Sequence, residues 1–274
     1  MGILGGITSS VLKELTHYVA NFLQNDLHWE YKYYLYFFFP LIGIFLTVFY
    51  IRTFIRRSKF HHGIPPIISN ISHGHSKLDF HNIYSQVISS ALTVGLGGSA
   101  GLEAPAVASG AAIGSNIGRF FGLNYRETTL LLACGAGAGI SGAFNSPITG
   151  MIFAIEVILP AFSIPAVIPL LIASAISSVV SQIIYKEPLF VLVTSGWTVE
   201  AFWYYIVLGI LGGIYSIYFS RLNSYIHRLF GKIKNRYNKV WIGGMILGIM
   251  IALLPALYGE GYITSKKLLD GNYQ

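Results

Sequence analysis

The sequence predicts an all-α, polytopic integral membrane protein, built as an inverted repeat with broken, partly re-entrant helices. Of its 274 residues, 54% are hydrophobic and 11% are charged, and the mean hydropathy is +0.61. A soluble domain typically carries about 25% charged residues, more than twice this share. Several apolar stretches approach the ~20 residues that a helix needs to span a bilayer. Short segments that end at a proline interrupt these stretches, which predicts helices that break inside the membrane.

Ten helical segments are predicted in chain order. The first is rich in glycine and then amphipathic, the second ends at a basic cluster, and the third is too short to span. The fourth follows a polar linker, the fifth and seventh open at prolines, and the sixth consists of small apolar residues after a polar turn. The last three are apolar spans. Their ranges are 2–23, 33–51, 61–72, 83–98, 105–122, 128–142, 147–159, 164–185, 201–222 and 240–257.

An internal repeat divides the chain. The stretch Gly2–Ile7 recurs as Gly209–Ile214, with both copies reading Gly-Ile-Leu-Gly-Gly-Ile. In both copies a helix, a connection, a second helix and a glycine-rich break follow. We therefore predict a first transmembrane repeat over 1–185, a connecting loop over 186–200, and the start of a second repeat over 201–274.

The charges of the connections predict that the two copies run in opposite directions. In the first copy the connection after the opening helix is acidic, and Arg52, Arg56 and Arg57 follow the next helix. In the second copy the connection after the opening helix is basic. Because basic loops lie on the cytoplasmic side, the copies are predicted to be inverted. The net charge of +7 is then explained by basic residues in the cytoplasmic connections. It does not indicate a nucleic-acid partner, and none is predicted.

Glu103 is the predicted functional centre. It lies in the apolar stretch Gly97–Pro105, and Pro105 suits the first position of a helix. Free N–H groups and the helix dipole make such a helix start an anion site. An ionised carboxylate can occupy the site and a neutral one can leave it, which predicts a gate for a small anion. Gly110, Gly114, Gly118 and Gly122 recur at every fourth position after it and predict one closely packed helix face.

Two other breaks have the same form. Gly63-Ile64-Pro65 and Asn145-Ser146-Pro147 each open a helix within an apolar region. Several helix starts that converge on one point bind an anion without a full positive charge.

These motifs resemble the CLC family of chloride channels and proton–chloride antiporters. Gly-Leu-Glu-Ala-Pro at 101–105 is similar to the family's G-K/R-E-G-P, and Gly139–Glu156 is similar to its A-F-N-A-P-L-A-G block. Gly63-Ile64-Pro65 is similar to the end of its G-S-G-I-P segment. The resemblance implies a CLC-type fold, a chloride pathway gated by Glu103, and a homodimer. The anion-binding residues that it implies are His62, Gly63, Ile64, Pro65, Gly101, Leu102, Ala104 and Pro105.

The sequence departs from the family pattern at several of these positions. Leu102 and Ala104 replace a basic residue and a glycine, and His62 stands where the family has an anion-coordinating serine. Family antiporters often carry a second glutamate where this chain has Val157. Glu156 beside it is a candidate internal polar residue. These departures leave proton-coupled exchange, or a preference for fluoride or nitrate, as alternatives to chloride conduction.

An alternative of another class is an intramembrane serine hydrolase, since Gly97–Gly101 matches the G-x-S-x-G motif around Ser99. The motif needs a strand before the serine, so a transporter and not an enzyme is predicted. Five histidines between 61 and 81 lack the spacing and carboxylate partners of a metal site, and neither metal nor cofactor is predicted. We expect the protein in the plasma (inner) membrane of a bacterium.

The second copy of the repeat reaches only its equivalent of the Gly63 break, at Gly259–Ile263. The second repeat is therefore predicted to be incomplete. Each copy of an inverted repeat supplies half of the helix ends at the ion site. We expect the 274-residue product, reconstituted by itself, to give no selective anion flux. Robust chloride flux from this chain alone would contradict that expectation.

Overall fold

The computed structural model describes residues 1–23, 32–55, 63–73, 76–161, 164–186, 199–262 and 264–265, with 32–35 and 236 described by their backbone alone. Two units make up the chain. The larger unit comprises Met1–Leu189 and Gly244–Gln274, and the smaller one comprises Phe190–Gly243. The two predicted repeats are defined by the opposite directions of their helices, whereas these two units are defined by their compactness. The division into repeats therefore stays a prediction.

Every regular element within those ranges is a helix, and no strand occurs there, which confirms the predicted all-α class. Ten α-helices, a π-helical turn after the seventh, and two 3-10 turns follow one another. They are α1 (Gly2–Asn21), α2 (Lys32–Phe54), α3 (Pro65–Ser72), α4 (Asn82–Gly95), α5 (Glu103–Phe120), α6 (Tyr125–Phe144), α7 (Pro147–Phe153) with the π-turn Ala154–Ile158, α8 (Ile164–Ile184), the 3-10 turn Val199–Ala201, α9 (Phe202–Gly231), α10 (Arg236–Leu253) and the 3-10 turn Pro255–Leu257.

Three helical stretches in the described part of the chain are long and apolar enough to cross a bilayer: Tyr36–Phe54, Ile164–Ile184 and Val199–Gly231. Two shorter apolar stretches, Pro147–Ile158 and Tyr237–Leu253, accompany them. The remaining long helices are rich in glycine, alanine and serine. Their small side chains are buried against neighbouring helices, so packing between helices and not hydropathy accounts for their composition.

Several predicted helix ends differ from the structure, including the start of α5 and the end of α9. Helix α5 begins at Glu103 and not at Pro105, which is its third residue. This is possible because the first four N–H groups of a helix have no partner inside it, so a proline is tolerated throughout the first turn. Helix α9 continues to Gly231, nine residues past the predicted end at 222. The polar residues there do not stop it, and Arg228 in its last turn is favourable to the helix dipole.

Helices α5 and α6 pack backbone against backbone. A Cβ atom on Gly110 would overlap the carbonyl oxygen of Gly135, and one on Gly135 would overlap that of Gly110. A Cβ on Gly114 would likewise overlap the carbonyl of Leu131. The predicted close face is therefore present. Gly122 is not part of it, because it lies beyond the end of α5 with a φ of +65° and no atom within 4 Å of its Cβ direction.

Polar side chains connect α1 to α6 and α8 inside this unit. The Ser9 hydroxyl donates a hydrogen bond to the carbonyl of Gly139 at 2.8 Å, and the Ser181 hydroxyl donates to that of Gly142 at 2.7 Å. Lys13 is 3% exposed, and its ammonium donates to the same Gly142 carbonyl at 3.2 Å. Backbone oxygens thus satisfy the buried donors, as buried polar groups require.

Candidate functional site

The connection between α4 and α5 positions Glu103. Helix α4 ends at Gly95, and Gly97 then adopts a φ of +95° that favours glycine. A Cβ atom on Gly97 would also overlap the ring of Tyr258. Leu102, the residue before α5, is 4% exposed and packs in a small apolar cluster. The chain therefore enters α5 along a fixed path, with Glu103 as the first helical residue.

The Glu103 carboxylate is folded back over the glycine two residues before it. Its Oε2 atom occupies the space that a Cβ atom on Gly101 would need. Its Oε1 atom accepts a hydrogen bond from the Tyr262 hydroxyl. The side chain is half-buried. The carboxylate thus lies at the start of α5, where the unpaired N–H groups and the dipole favour a negative charge by about 0.3–1 kcal/mol, and more where the site is partly buried.

Tyr262 belongs to a short segment after α10 that packs against α1. Glu260 in this segment pairs with His17 of α1 at 3.3 Å between carboxylate Oε1 and imidazole Nε2. The Tyr258 hydroxyl donates to the carbonyl of Gly95 at 3.3 Å. Tyr262 lies beyond the last apolar helix. Burial, followed by the hydrogen bond to Glu103, raises its pKa, so its hydroxyl remains a proton donor.

A cavity of about 60 Å³ lies between this segment, α1 and α4. It is lined by Thr16, His17, Ala20, Asn21, Val94, Tyr258, Gly259, Glu260, Gly261, Tyr262 and Thr264.

The anion-binding residues predicted at the break Gly63-Ile64-Pro65 lie at the start of α3. Gly63 has a φ of +80°, Ile64 caps the helix, and Pro65 is its first residue, as the sequence predicts for a helix opening here. A cavity of about 70 Å³ lies beside Gly63. It is lined by Gly63, Pro66, Ile67, Asn70, Lys77, Leu78, Asp79, Asn82, Gln86 and Ala108. Glu103 does not line it. His62 lies outside the described residues.

The third break is built as the sequence predicts. Asn145 ends α6 in the left-handed region with a φ of 54°, and Pro147 is the first residue of α7. The Asn145 Oδ1 atom is buried and has no hydrogen-bond partner among the described residues. Glu156 lies on the π-turn after α7 and is exposed, as is Val157. An internal role for Glu156 stays a prediction.

Four ionisable or hydrogen-bonding residues, on α1 and on the segment that contacts Glu103, were not predicted from the sequence. They are Lys13, His17, Glu260 and Tyr262. A signal existed for the first two, because they are ionisable residues four apart and therefore share a helix face. Glu260 lies between two glycines, in a segment for which the sequence predicted only a glycine-rich break.

Fold and site together define a class: a helical membrane protein with a carboxylate placed at a helix start. The family model of the voltage-gated chloride channels matches residues 42–274. A putative chloride channel protein ClcB-like of Ralstonia nicotianae is 30% identical over 185 residues, covering 64% of this chain and 42% of that protein. The H(+)/Cl(-) exchange transporter ClcA of Vibrio parahaemolyticus is 29% identical over 183 residues, covering 63% and 39%.

Solved structures give the same fold. A CLC-type fluoride/proton antiporter is similar with a TM-score of 0.84 at 24% identity, and a slow cyanobacterial Cl-/H+ antiporter with 0.78 at 23%. Each match covers 100% of this chain, and 68% and 65% of those chains, respectively. The chain belongs to the CLC family of voltage-gated chloride channels. It is therefore a membrane protein, and it spans less than half the length of the two relatives named above.

Proposed function

We propose that this protein transports chloride or a similar small anion across a membrane, through a pathway that Glu103 opens and closes by gaining and losing a proton. The observation that carries the proposal is the position of the Glu103 carboxylate at the start of α5, over Gly101. The names of the relatives, which are chloride channels and anion–proton antiporters, support it.

The mechanism is a competition for one site. When Glu103 is ionised, its carboxylate occupies the positive end of the α5 dipole and repels an approaching anion. At 4 Å, two like charges repel by about 4 kcal/mol at an effective dielectric constant of ~20. Protonation removes both the repulsion and the attraction of the carboxylate for the helix start. The side chain then swings away, and the anion takes its place.

Flux is therefore expected to rise as pH falls, because acid favours the neutral, displaced carboxyl. The test is chloride efflux from vesicles that contain the protein expressed from its complete reading frame, with the pH outside recorded at the same time. Chloride efflux that accelerates at low pH supports the proposal. An absence of chloride flux at every pH from correctly folded protein contradicts it.

The same recording decides between a channel and an exchanger. Proton movement in a fixed ratio to chloride, driven uphill by a chloride gradient, would make the protein an antiporter. We expect the coupling to be weak, since Val157 cannot relay a proton from the position where family antiporters often carry a second glutamate. Replacing chloride by fluoride or nitrate in the same vesicles measures the selectivity.

The serine hydrolase alternative has less support. Ser99 follows helix α4 through a short connection, whereas a nucleophile elbow places its serine between a strand and a helix. The bacterial relatives favour location in the inner membrane, and the resemblance to the family favours a homodimer. Both are part of the proposal.

Replacing Gly101 by alanine is expected to push the gate open. The new methyl group takes the volume that the Glu103 Oε2 atom occupies, and a flexible side chain gives way more easily than backbone. We expect chloride flux at neutral pH to rise by about tenfold, which corresponds to roughly 1.4 kcal/mol of lost gate closure. Gly213→Ala is the control, since no atom lies within 4 Å of its Cβ direction. Unchanged flux in Gly101→Ala would show that the carboxylate does not block the path.

A further inference from the structure

We propose that His17 and Glu260 form a proton-access site for Glu103, and that the Tyr262 hydroxyl passes the proton from this site to the Glu103 carboxylate. The inference deepens the proposed function and rests on it, because it names the residues that deliver the proton on which the gate depends.

The two residues of the pair differ in their exposure to solvent, which suits one of them to exchange protons with solvent and the other to pass them inward. The His17 side chain is 28% exposed, whereas that of Glu260 is 10% exposed, and their atoms are 3.3 Å apart. Histidine changes its charge near neutral pH more readily than any other unperturbed side chain. His17 is thus suited to take a proton from solvent, and Glu260 to receive it in a more buried position.

The cavity bridges the pair and the tyrosine. His17, Glu260 and Tyr262 all line it, together with the polar side chains of Thr16 and Asn21. Its volume of about 60 Å³ exceeds the roughly 10–15 Å³ that one water molecule requires. A polar cavity of this size has room for a short hydrogen-bonded chain of water between the carboxylate of Glu260 and the hydroxyl of Tyr262.

The Tyr262 hydroxyl completes the route, because it donates its hydrogen bond to Glu103 Oε1. In the transfer step the Tyr262 O–H bond breaks, and a new O–H bond forms at Glu103. A cavity water molecule gives a proton to the phenolic oxygen at the same time, so the tyrosine ends neutral. The water regains its proton from the His17–Glu260 pair. The net change is one proton lost by the pair and one gained by Glu103.

The other charged and titratable groups that face the pair are few in the described part of the chain. Lys13 on the same helix interacts electrostatically with Glu260. From the end of α8, the Tyr185 hydroxyl lies 3.4 Å from the His17 ring nitrogen. Tyr258 shares the cavity, and Tyr36 of α2 packs against its ring at 5.3 Å between centroids. Among the described residues that line the cavity, Glu260 is the only one with a carboxylate.

The test follows Glu103 itself and does not require flux. The carboxyl stretching band of Glu103, assigned by its loss in Glu103→Gln, is recorded by time-resolved infrared spectroscopy after a rapid drop in pH. We expect Tyr262→Phe and Glu260→Gln each to slow the appearance of this band by about tenfold or more, as for the loss of a positioned proton donor. His17→Gln is a second variant on the pair, in case Glu260→Gln does not fold.

Tyr258→Phe is the matched control, because it removes a tyrosine hydroxyl from the same cavity that bonds Gly95 and not Glu103. Its rate is expected to equal that of the unmodified protein. Unchanged rates in Tyr262→Phe and Glu260→Gln would overturn the proposal. So would a change in Tyr262→Phe alone, with Glu260→Gln and His17→Gln at the original rate, because Tyr262 would then only hold Glu103 in place.

A failure of the proposed proton route is distinguishable from a failure of the proposed transport function. If the unmodified protein carries no anion flux but the infrared rates fall as expected, the proton route is present and the transport proposal is wrong. If flux is present and pH-dependent but the rates do not change, Glu103 receives its proton directly from solvent and only the present inference is wrong.

Discussion

Replacing Glu103 by glutamine is expected to abolish most of the pH dependence of anion flux and to hold the flux near its acid maximum. The amide is close to the carboxyl in size but has no charge to gain or lose. It cannot compete as an anion for the start of α5. At neutral pH, we expect the rate of chloride efflux to rise by about tenfold or more, since even a third of the roughly 4 kcal/mol repulsion between near charges is worth a factor of ten.

Glu14→Gln is a suitable control for this experiment. Glu14 is also a helical glutamate, but its side chain is exposed on α1. Both variants remove one negative charge, so any effect of net charge on the vesicle assay appears in both. A flux from Glu103→Gln that keeps the pH profile of the unmodified protein would refute the gate, whatever its absolute rate.

Replacing Gly110 by valine is expected to prevent the protein from folding. The side chain would start inside the backbone of α6, at the carbonyl of Gly135, and no change of rotamer relieves an overlap at Cβ. Overpacking in a core that can adjust its side chains costs about 1–3 kcal/mol, and here the backbones themselves must separate. We expect a cost above this range, seen as loss of the monodisperse species in detergent and of its cooperative thermal transition.

The control for the glycine experiment is Gly212→Val in α9. It has the same change of side chain and the same cost of a β-branched residue in a helix, but no atom lies within 4 Å of its Cβ direction. It is expected to give soluble, monodisperse protein. A folded Gly110→Val protein with an unchanged thermal transition would show that α5 and α6 do not need their backbone contact.

The features that the sequence predicted correctly are those with a local signal. Pro147 marks the start of α7 because a proline suits the first turn of a helix, and the spacing of Gly110 and Gly114 marks the face that meets α6. The predicted end of α9 is wrong for a physical reason. The prediction stopped where the apolar residues stop, but a helix continues through polar residues when nothing breaks it.

The contact between Tyr262 and Glu103 has no local signal, because 159 residues separate the two side chains. Nothing in the spacing of either segment indicates that the segment after α10 returns to the start of α5. The pair of His17 and Glu260 was hidden for the same reason. The pattern identified the carboxylate at the helix start, but the groups that surround it depend on how distant segments pack.

The backbone contact between α5 and α6 also limits which part of the proposed gate would be able to move. A helix whose glycines lie directly against the carbonyls of its neighbour cannot tilt or slide without losing that fit along its length. In the proposed mechanism, opening would therefore be confined to the Glu103 side chain, and side chains change rotamer far faster than helices rearrange. The frequency of opening would then be set by the rate at which protons reach the Glu103 carboxylate. The energy barrier to opening would be that of proton transfer, not that of moving helices.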